Sequence, residues 1–556
     1  MTNAADIVIL NGNLTTFDPD NPTAEAMAIG GGRITAVGSN DEIRDLAGNQ
    51  TRIIDAIGGT VLPGFIDSHV HLFWGSTGLD LLDLQGLKGF NALRDAVRSY
   101  AAGRPDDPLI FATSASYSVL GKDRQTTRQD LDRILPDRPL ALMAADYHTV
   151  WANTTALEKA SILHGAEVAE GSEIVMAEDG TATGQLNEIG AFCHVQRLSA
   201  LGGRDFVGYV TGGDPEPPAT AEERAYDKEI LVRGLSHCAR NGITGLHNMD
   251  GNFYQLELLQ ELDEEGRLPC RVQVPLHLKN FDPIDRLQEA DEMRRRFNSD
   301  KVWSGRVKMF MDGVLDSYTA FVLQPYPGRP ESYGDALFGG EQFNEICTRA
   351  DAMGLQMSVH AIGDGAVRRV LDGYEAAQNT NGARDSRHRI EHIEVIDPAE
   401  LPRLAELGVV ASLQPLHSPV AGLFPAHTPG DILREDQVEY AFAWRKIRAS
   451  GARVCFSTDW PIVPIDVMPS LAAAMSPHQL GGLWQNQSQS LIDTLASYTR
   501  DNAWVEFNEH RKGVLKPGYM ADVSILDRDL SELDPEDLKQ AAPLATICEG
   551  KITYSR

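Results

Sequence analysis

The chain has 556 residues, 42% hydrophobic and 23% charged, so it can bury a large core, and wholesale disorder is excluded. Fifty basic against 79 acidic side chains leave a net charge of −29, which argues against a nucleic-acid partner. No stretch approaches the ~18 apolar residues of a membrane helix, and the start, MTNAADIVILNGN, has no basic segment of a secretory leader. The six cysteines include no CxxC pair, which suggests reduced thiols in a cytoplasmic protein.

In chain order, the first 60 residues read as short antiparallel strands. Ile7–Leu10, Ala26–Ile29, Ile34–Val37, Ile53–Asp55 and Thr60–Leu62 are separated by turn signals such as Asn11-Gly12-Asn13. The middle alternates apolar runs with amphipathic helices. The expected strands are Val61–Asp67, Ile243–His247, Arg271–Leu276, Arg306–Phe310, Gln356–His360, Arg389–His392, Val409–Leu413 and Arg453–Ser457. Expected helices include Phe253–Glu265, Asp285–Phe297 and Ala399–Leu407. Eight strands alternating with helices indicate an α/β fold, a (β/α)8 TIM barrel. The gap between the first two strands is too long for a loop and is read as an inserted subdomain, a lid or wall over one mouth. The last residues return to strand sequence, with Ala545–Cys548 and Lys551–Tyr554 forming a hairpin across Glu549-Gly550. The expected division is a small β-sandwich domain built from both termini (1–60 with 510–556), a barrel over 61–509, and an insertion at about 80–235.

Metal-type and proton-transfer residues cluster at the ends of these strands. His69 and His71 form HxH after the first strand. Residues two apart on a strand share a face, so both rings can reach one ion. His360 and His392 end two later strands, Asp459 follows the last, and Lys308 sits inside Arg306–Phe310. Each is unremarkable alone, and Asp459 before Trp460-Pro461 could cap a helix. The ends of parallel barrel strands converge on one mouth, which brings these residues together. Imidazole and carboxylate donors suit Zn²⁺, and a bound divalent ion lowers the pKa of water to about 7. The chain has no GxSxG elbow, no GxxxxGK[ST] loop and no PCxxC after His392-Ile393-Glu394.

Several motifs occur in a fixed order: Pro63-Gly64-Phe65-Ile66-Asp67-Ser68-His69-Val70-His71, Gly242–His247, Val307–Gly313, His360–Asp364, Arg389–His392, Ser457–Asp459 and Gly513–Asp522. In this order the chain resembles the amidohydrolase superfamily, in its amidohydrolase-3 or YtcJ-like branch. The resemblance implies a metal site of His69, His71, His360 and His392, with Asp459 as ligand and base. It implies a carboxylated Lys308 bridging two ions, with a plain lysine beside a single ion as the alternative. The cofactor is then one or two divalent ions, Zn²⁺ by preference. His148, in the segment Asp146-Tyr147-His148 before Trp151-Ala152-Asn153, is a candidate to polarise the substrate carbonyl. Glu188, Asp312, His417 and Trp151 are further candidate substrate contacts, while Asp364 is read as a loop cap.

The function expected is cleavage of an amide or N-substituted formamide-like C–N bond of a small molecule by metal-activated hydroxide. Deamination or ester cleavage at the same site is the alternative. A non-catalytic metal- or ligand-binding barrel is the alternative of another class. A homo-oligomer is admitted by family analogy.

Overall fold

The computed structural model describes residues 4–121, 124–145, 147–168, 171–423, 432–476 and 486–556. The chain divides into two compact units, Met1–Leu72 with Leu235–Arg556, and Phe73–Gly234.

In the first unit the two chain ends build two sheets. One has the order Arg33–Gly38, Ala26–Gly30, Ala5–Leu10, Ala47–Asp55. The other has the order Lys551–Ser555, Pro543–Cys548, Val523–Leu526, Thr60–Pro63, Asn13–Thr15, Thr23–Ala24. Ile9, Met27 and Ile34 of the first share one apolar core with Val61, Val523, Ile525 and Ile547 of the second. The expected hairpin forms, with Glu549 and Gly550 both at positive φ, as a tight two-residue turn requires.

The expectation of purely antiparallel N-terminal strands is corrected. Ala5–Leu10 runs parallel to Ala47–Asp55, and Asn13–Thr15 parallel to Thr60–Pro63. Parallel neighbours need a crossover. The short helix Asn40–Arg44 supplies one, started by a capping box between Ser39 and Glu42.

The remaining strands of this unit pair in parallel. Val302–Trp303, Arg271–Gln273, Ile243–Asn248 and Phe65–Val70 form one sheet. Leu276–His277, Arg306–Phe310, Gln356–Ala361, Arg389–His392, Val410–Leu413 and Arg453–Phe456 form the other. Helices such as Phe253–Glu264, Leu287–Arg296 and Asp364–Asn381 alternate with them. Most of these strands are buried along their whole length, the pattern of parallel sheets covered on both faces. An isolated parallel bridge, Val70 to Trp460, joins the first of these strands to the segment after the last.

The expected strand Val61–Asp67 is two strands serving two sheets. The break falls at Gly64, whose added Cβ would meet the Thr244 side chain at 2.3 Å. Only glycine fits where the chain leaves the terminal sheet and passes under Thr244.

The second unit carries a six-stranded mixed sheet, ordered Glu173–Met176, Ala182–Asn187, Thr149–Ala152, Leu140–Ala144, Ile110–Ala115, Leu82–Asp83. Two apolar clusters flank it. Leu93, Ile110, Leu131, Leu142 and Trp151 belong to one, and Met143, Val150, Leu157, Leu186 and Phe192 to the other. Among the described residues, no helix is long and apolar enough to cross a membrane.

Candidate metal centre

His69 and His71 project from the end of Phe65–Val70, and both are buried. Their Nε2 atoms lie 3.4 and 3.3 Å from one oxygen, Asp459 Oδ1. The Asp459 segment is clipped to the same strand. Asp459 N–H donates to the His69 carbonyl at 2.9 Å, and the Thr458 hydroxyl donates to Asp67 at 2.6 Å. Asp459 takes φ of +70° and His392 φ of +77°. For non-glycine residues such backbone is strained by about 1–3 kcal/mol, a cost concentrated at functional sites.

Each imidazole is oriented from behind. His69 Nδ1 donates to Glu391 at 2.8 Å and His71 Nδ1 to Asp250 at 2.7 Å. Because a carboxylate only accepts, Nδ1 of each ring carries a proton, and Nε2 is the atom turned toward Asp459. His392 Nδ1 meets the Gln414 carbonyl oxygen at 2.8 Å, and the Gln414 amide donates to Ser457. This backing of imidazole ligands by acceptors is a general feature of metal sites.

Among the described residues, two groups have ligand atoms within 4.8 Å of one another: His69, His71 and Asp459, and His392, His417 and Asp459. Asp459 belongs to both. The His392 and His417 rings stack at 5.6 Å and 9°, and His417 Nε2 is 3.6 Å from Asp459 Oδ2. His360 packs on His392, with ring centroids 4.5 Å apart. Its Nε2 points to the Gly313 carbonyl at 3.0 Å, which leaves Nδ1 as its remaining donor atom. Lys308 is fully buried, and its Nζ has no hydrogen-bond partner among the described residues. That nitrogen sits 4.5 Å from the Phe310 ring centroid.

Burial sets the protonation of the cluster. It pushes His69 down to about 4, His360 to about 3 and Lys308 to about 8. It would raise Asp459 too, but the imidazoles of His69 and His71 outweigh it and hold the carboxyl below its usual range. Burial also opposes a charge on His71, yet the Asp250 and Asp459 carboxylates raise it to about 9. Without a cation, His71 thus carries a proton between the Asp250 and Asp459 carboxylates, while His69 and His360 are neutral. A divalent cation would take the place of that proton, and imidazole nitrogens with one anionic oxygen form a donor set that fits it. A narrow crevice lies beside His392 and His417, walled by Ile393, Leu413, Phe442, Ala443 and Trp444.

The other candidates separate by position. Asp312 is corrected from substrate contact to loop clamp. Its carboxylate accepts N–H bonds from Phe321, Ile362 and Gly363 at 2.9–3.0 Å, and it is 2% exposed. Trp151 is corrected to a core residue of the second unit, edge-on to Tyr117 at 5.1 Å. His148 and Glu188 also lie in the second unit, where His148 Nδ1 meets both Glu188 oxygens at 3.0 Å. Asp146, read in the same motif, lies outside the described residues. Asp364 caps loops, accepting from Leu323 N–H and the Gln437 amide.

Sequence reasoning assigned no role to Glu391, Asp250 or Gln414. Glu391 and His69 stand 322 positions apart. The one signal available was the place of Glu391 inside the Arg389–His392 motif.

A model of the amidohydrolase family matches residues 52–554. The chain is similar to the putative amidohydrolase YtcJ of Bacillus subtilis (strain 168), 27% identical over 98% of each chain. It is similar to the N-substituted formamide deformylase of Arthrobacter pascens, 26% identical over 100% of this chain and 99% of that one. Among solved structures it is similar to an uncharacterized metal-dependent hydrolase from Pyrococcus horikoshii OT3. That likeness has a TM-score of 0.73 and 25% identity, and covers 95% of this chain and 99% of the other.

Proposed function

This chain belongs to the amidohydrolase family, and from that premise we propose a metal-dependent hydrolase that opens an amide-type C–N bond of a small molecule. The observation that carries the reading is the convergence of His69 Nε2 and His71 Nε2 on Asp459 Oδ1. The parallel strands and the Val70–Trp460 bridge support a closed (β/α)8 barrel with these residues at its C-terminal mouth.

His69, His71 and Asp459 would hold one cation, with Zn²⁺ favoured by the nitrogen-rich donor set. Lys308 supports a second position. A buried amine with no hydrogen-bond partner among the described residues and a depressed pKa would attack CO2 as the free base, forming an N–C bond and releasing one proton to solvent, and the carbamate so formed would offer two oxygens as ligands. A divalent ion bound here acidifies water and polarises a carbonyl oxygen.

The chain's own residues do the rest. Asp459, ionised and strained toward the cluster, accepts a proton from water and passes it to the leaving nitrogen. The apolar side chains Leu413, Phe442 and Trp444 beside His392 and His417 limit water around the reacting carbonyl. The relative from Arthrobacter pascens, named as an N-substituted formamide deformylase, supports an amide over an ester or imine. Six free, buried cysteines support a cytoplasmic setting.

The test is metal content together with turnover of an amide, ester and imine panel, for the wild type and D459N. With zinc added to saturate both proteins, the expected result is tighter zinc binding and amide hydrolysis by the wild type, and a loss of ~10²–10⁴-fold in kcat in D459N. A zinc-loaded wild type that turns over nothing on the panel would favour a binding protein instead.

A further inference from the structure

The site described above leaves the Gly242–His247 motif and Arg389 without a part. They lie on one buried file of hydrogen bonds that ends at His69. Lys512 pairs with Glu506, Glu506 with His247 Nε2 at 2.9 Å, and His247 Nδ1 with Arg389 at 2.9 Å. Arg389 donates to Glu391 Oε2 at 2.8 Å, and the same oxygen accepts from His69 Nδ1 at 2.8 Å.

The direction of each bond follows from donor chemistry. A guanidinium only donates, so His247 Nδ1 accepts from both Arg389 and Arg306, and its proton sits on Nε2 facing Glu506. Glu391 only accepts, so the His69 proton sits on Nδ1. The file thus alternates cation, anion, neutral imidazole, cation, anion, neutral imidazole.

Arg389 is its rigid member. Besides His247 and Glu391, its guanidinium donates to the Ser68 carbonyl at 2.7 Å and the Ser412 hydroxyl at 2.8 Å. It therefore grips both the peptide immediately before His69 and the carboxylate behind the His69 ring. All of these side chains are buried.

We propose that Arg389 is a positioning residue for the metal centre: by fixing Glu391 and the Ser68 carbonyl, it holds the His69 imidazole with Nε2 toward Asp459. The proposal rests on the metal-dependent reading above. Nη1 serves His247 while Nη2 shares its two hydrogens among Glu391, Ser68 and Ser412, so the guanidinium's two terminal nitrogens, fixed in one plane, serve both sides at once, which a single ammonium cannot.

The test is zinc affinity by chelator competition, together with the visible spectrum of the cobalt-substituted protein, for the wild type, E391Q, E391A, R389K and E391A/R389K. Loss of an acceptor behind a ligating histidine typically costs 10–100-fold in metal affinity. E391A and R389K are each expected to fall by about that factor and to shift the cobalt spectrum. E391Q, whose amide oxygen still accepts from Nδ1, is expected to stay within about tenfold of wild type and keep the spectrum. Because Arg389 acts in part through Glu391, the loss in the double variant is expected to fall short of the two single losses combined.

Wild-type affinity in E391A or R389K, or losses that add in the double variant, would overturn the proposal. If the arginine variants fail to fold, the glutamate pair decides, and equal losses in E391Q and E391A overturn it. A wild type that binds no zinc removes the metal reading itself, and this role with it.

Discussion

At the scale of single residues, the centre depends on one carboxylate. Asp459 is the only member shared by the two candidate ligand groups found among the described residues. His69, His71, His392 and Asp459 were legible in the sequence because strand periodicity and strand ends dictate where such side chains point. The residues behind them were not. Asp250 reaches His71 from 179 positions away, a pairing that only the fold creates. Trp151 and Asp312 show the opposite failure, since residue type suggested a contact while packing and backbone amides claimed the side chain.

Another buried acid offers a test by pH. In the second unit, burial raises Asp205 to about 7 against a weaker opposing bond from Thr77, and its Oδ1 has no hydrogen-bond partner among the described residues. The folded state therefore keeps a proton that the unfolded chain releases near pH 4. Stability from this group is fully present below pH 4, falls as pH rises from 4 to 7, and levels off above. D205N removes that slope. The variant is expected to match wild type near pH 4 and to exceed it at pH 8 by at most about 4 kcal/mol, read from urea midpoints across pH.

At the scale of elements, the sequence located strands such as Ile243–Asn248, Arg306–Phe310, Gln356–Ala361 and Arg389–His392 to within a residue, because short strand-forming runs are bounded there by turns; the expected Arg271–Leu276 instead ends at Gln273, and Leu276–His277 pairs in the other sheet. It missed where one strand becomes two. Gly64 supplies the reason: side-chain alternation continues through it, but the close approach of Thr244 is a tertiary fact. G64A is expected to destabilise the protein by about 1–3 kcal/mol, seen as a lower thermal midpoint, and T244G to restore part of the loss.

Asn153 is a second element-scale case. It caps the helix Thr154–Lys159 through Ala156 N–H, accepts from Leu140 N–H, and donates to the carbonyls of Leu135 and Arg138. Fully buried, it ties a strand, a helix and a loop together. N153A is expected to cost about 2–4 kcal/mol, more than an exposed cap, measured by denaturant unfolding.

At the scale of the whole molecule, the two ends of the chain finish one structure. Val523–Leu526 pairs on one edge with Thr60–Pro63 and on the other with Pro543–Cys548. A truncation after residue 542 removes Ala545 and Ile547 from the core shared with the N-terminal strands. It is expected to give insoluble protein or protein without a cooperative transition, checked by solubility and circular dichroism. Metal removal acts at the same scale. A ligand bound only by the folded state adds about 2.7 kcal/mol at 100 times its dissociation constant. Chelation is therefore expected to abolish turnover and lower the melting temperature, with zinc restoring both.

The clip between Thr458 and Asp67 spans 391 positions. At a synthesis rate of roughly 5–20 residues per second, the ribosome needs roughly 20–80 s to deliver the partner of the first ligand strand. For that interval Phe65–Val70, with His69 in it and His71 just after it, waits with an edge unpaired. Competence for chemistry is thus a late event in the life of the nascent chain, and the same interval is its window for mispairing or for capture by a chaperone.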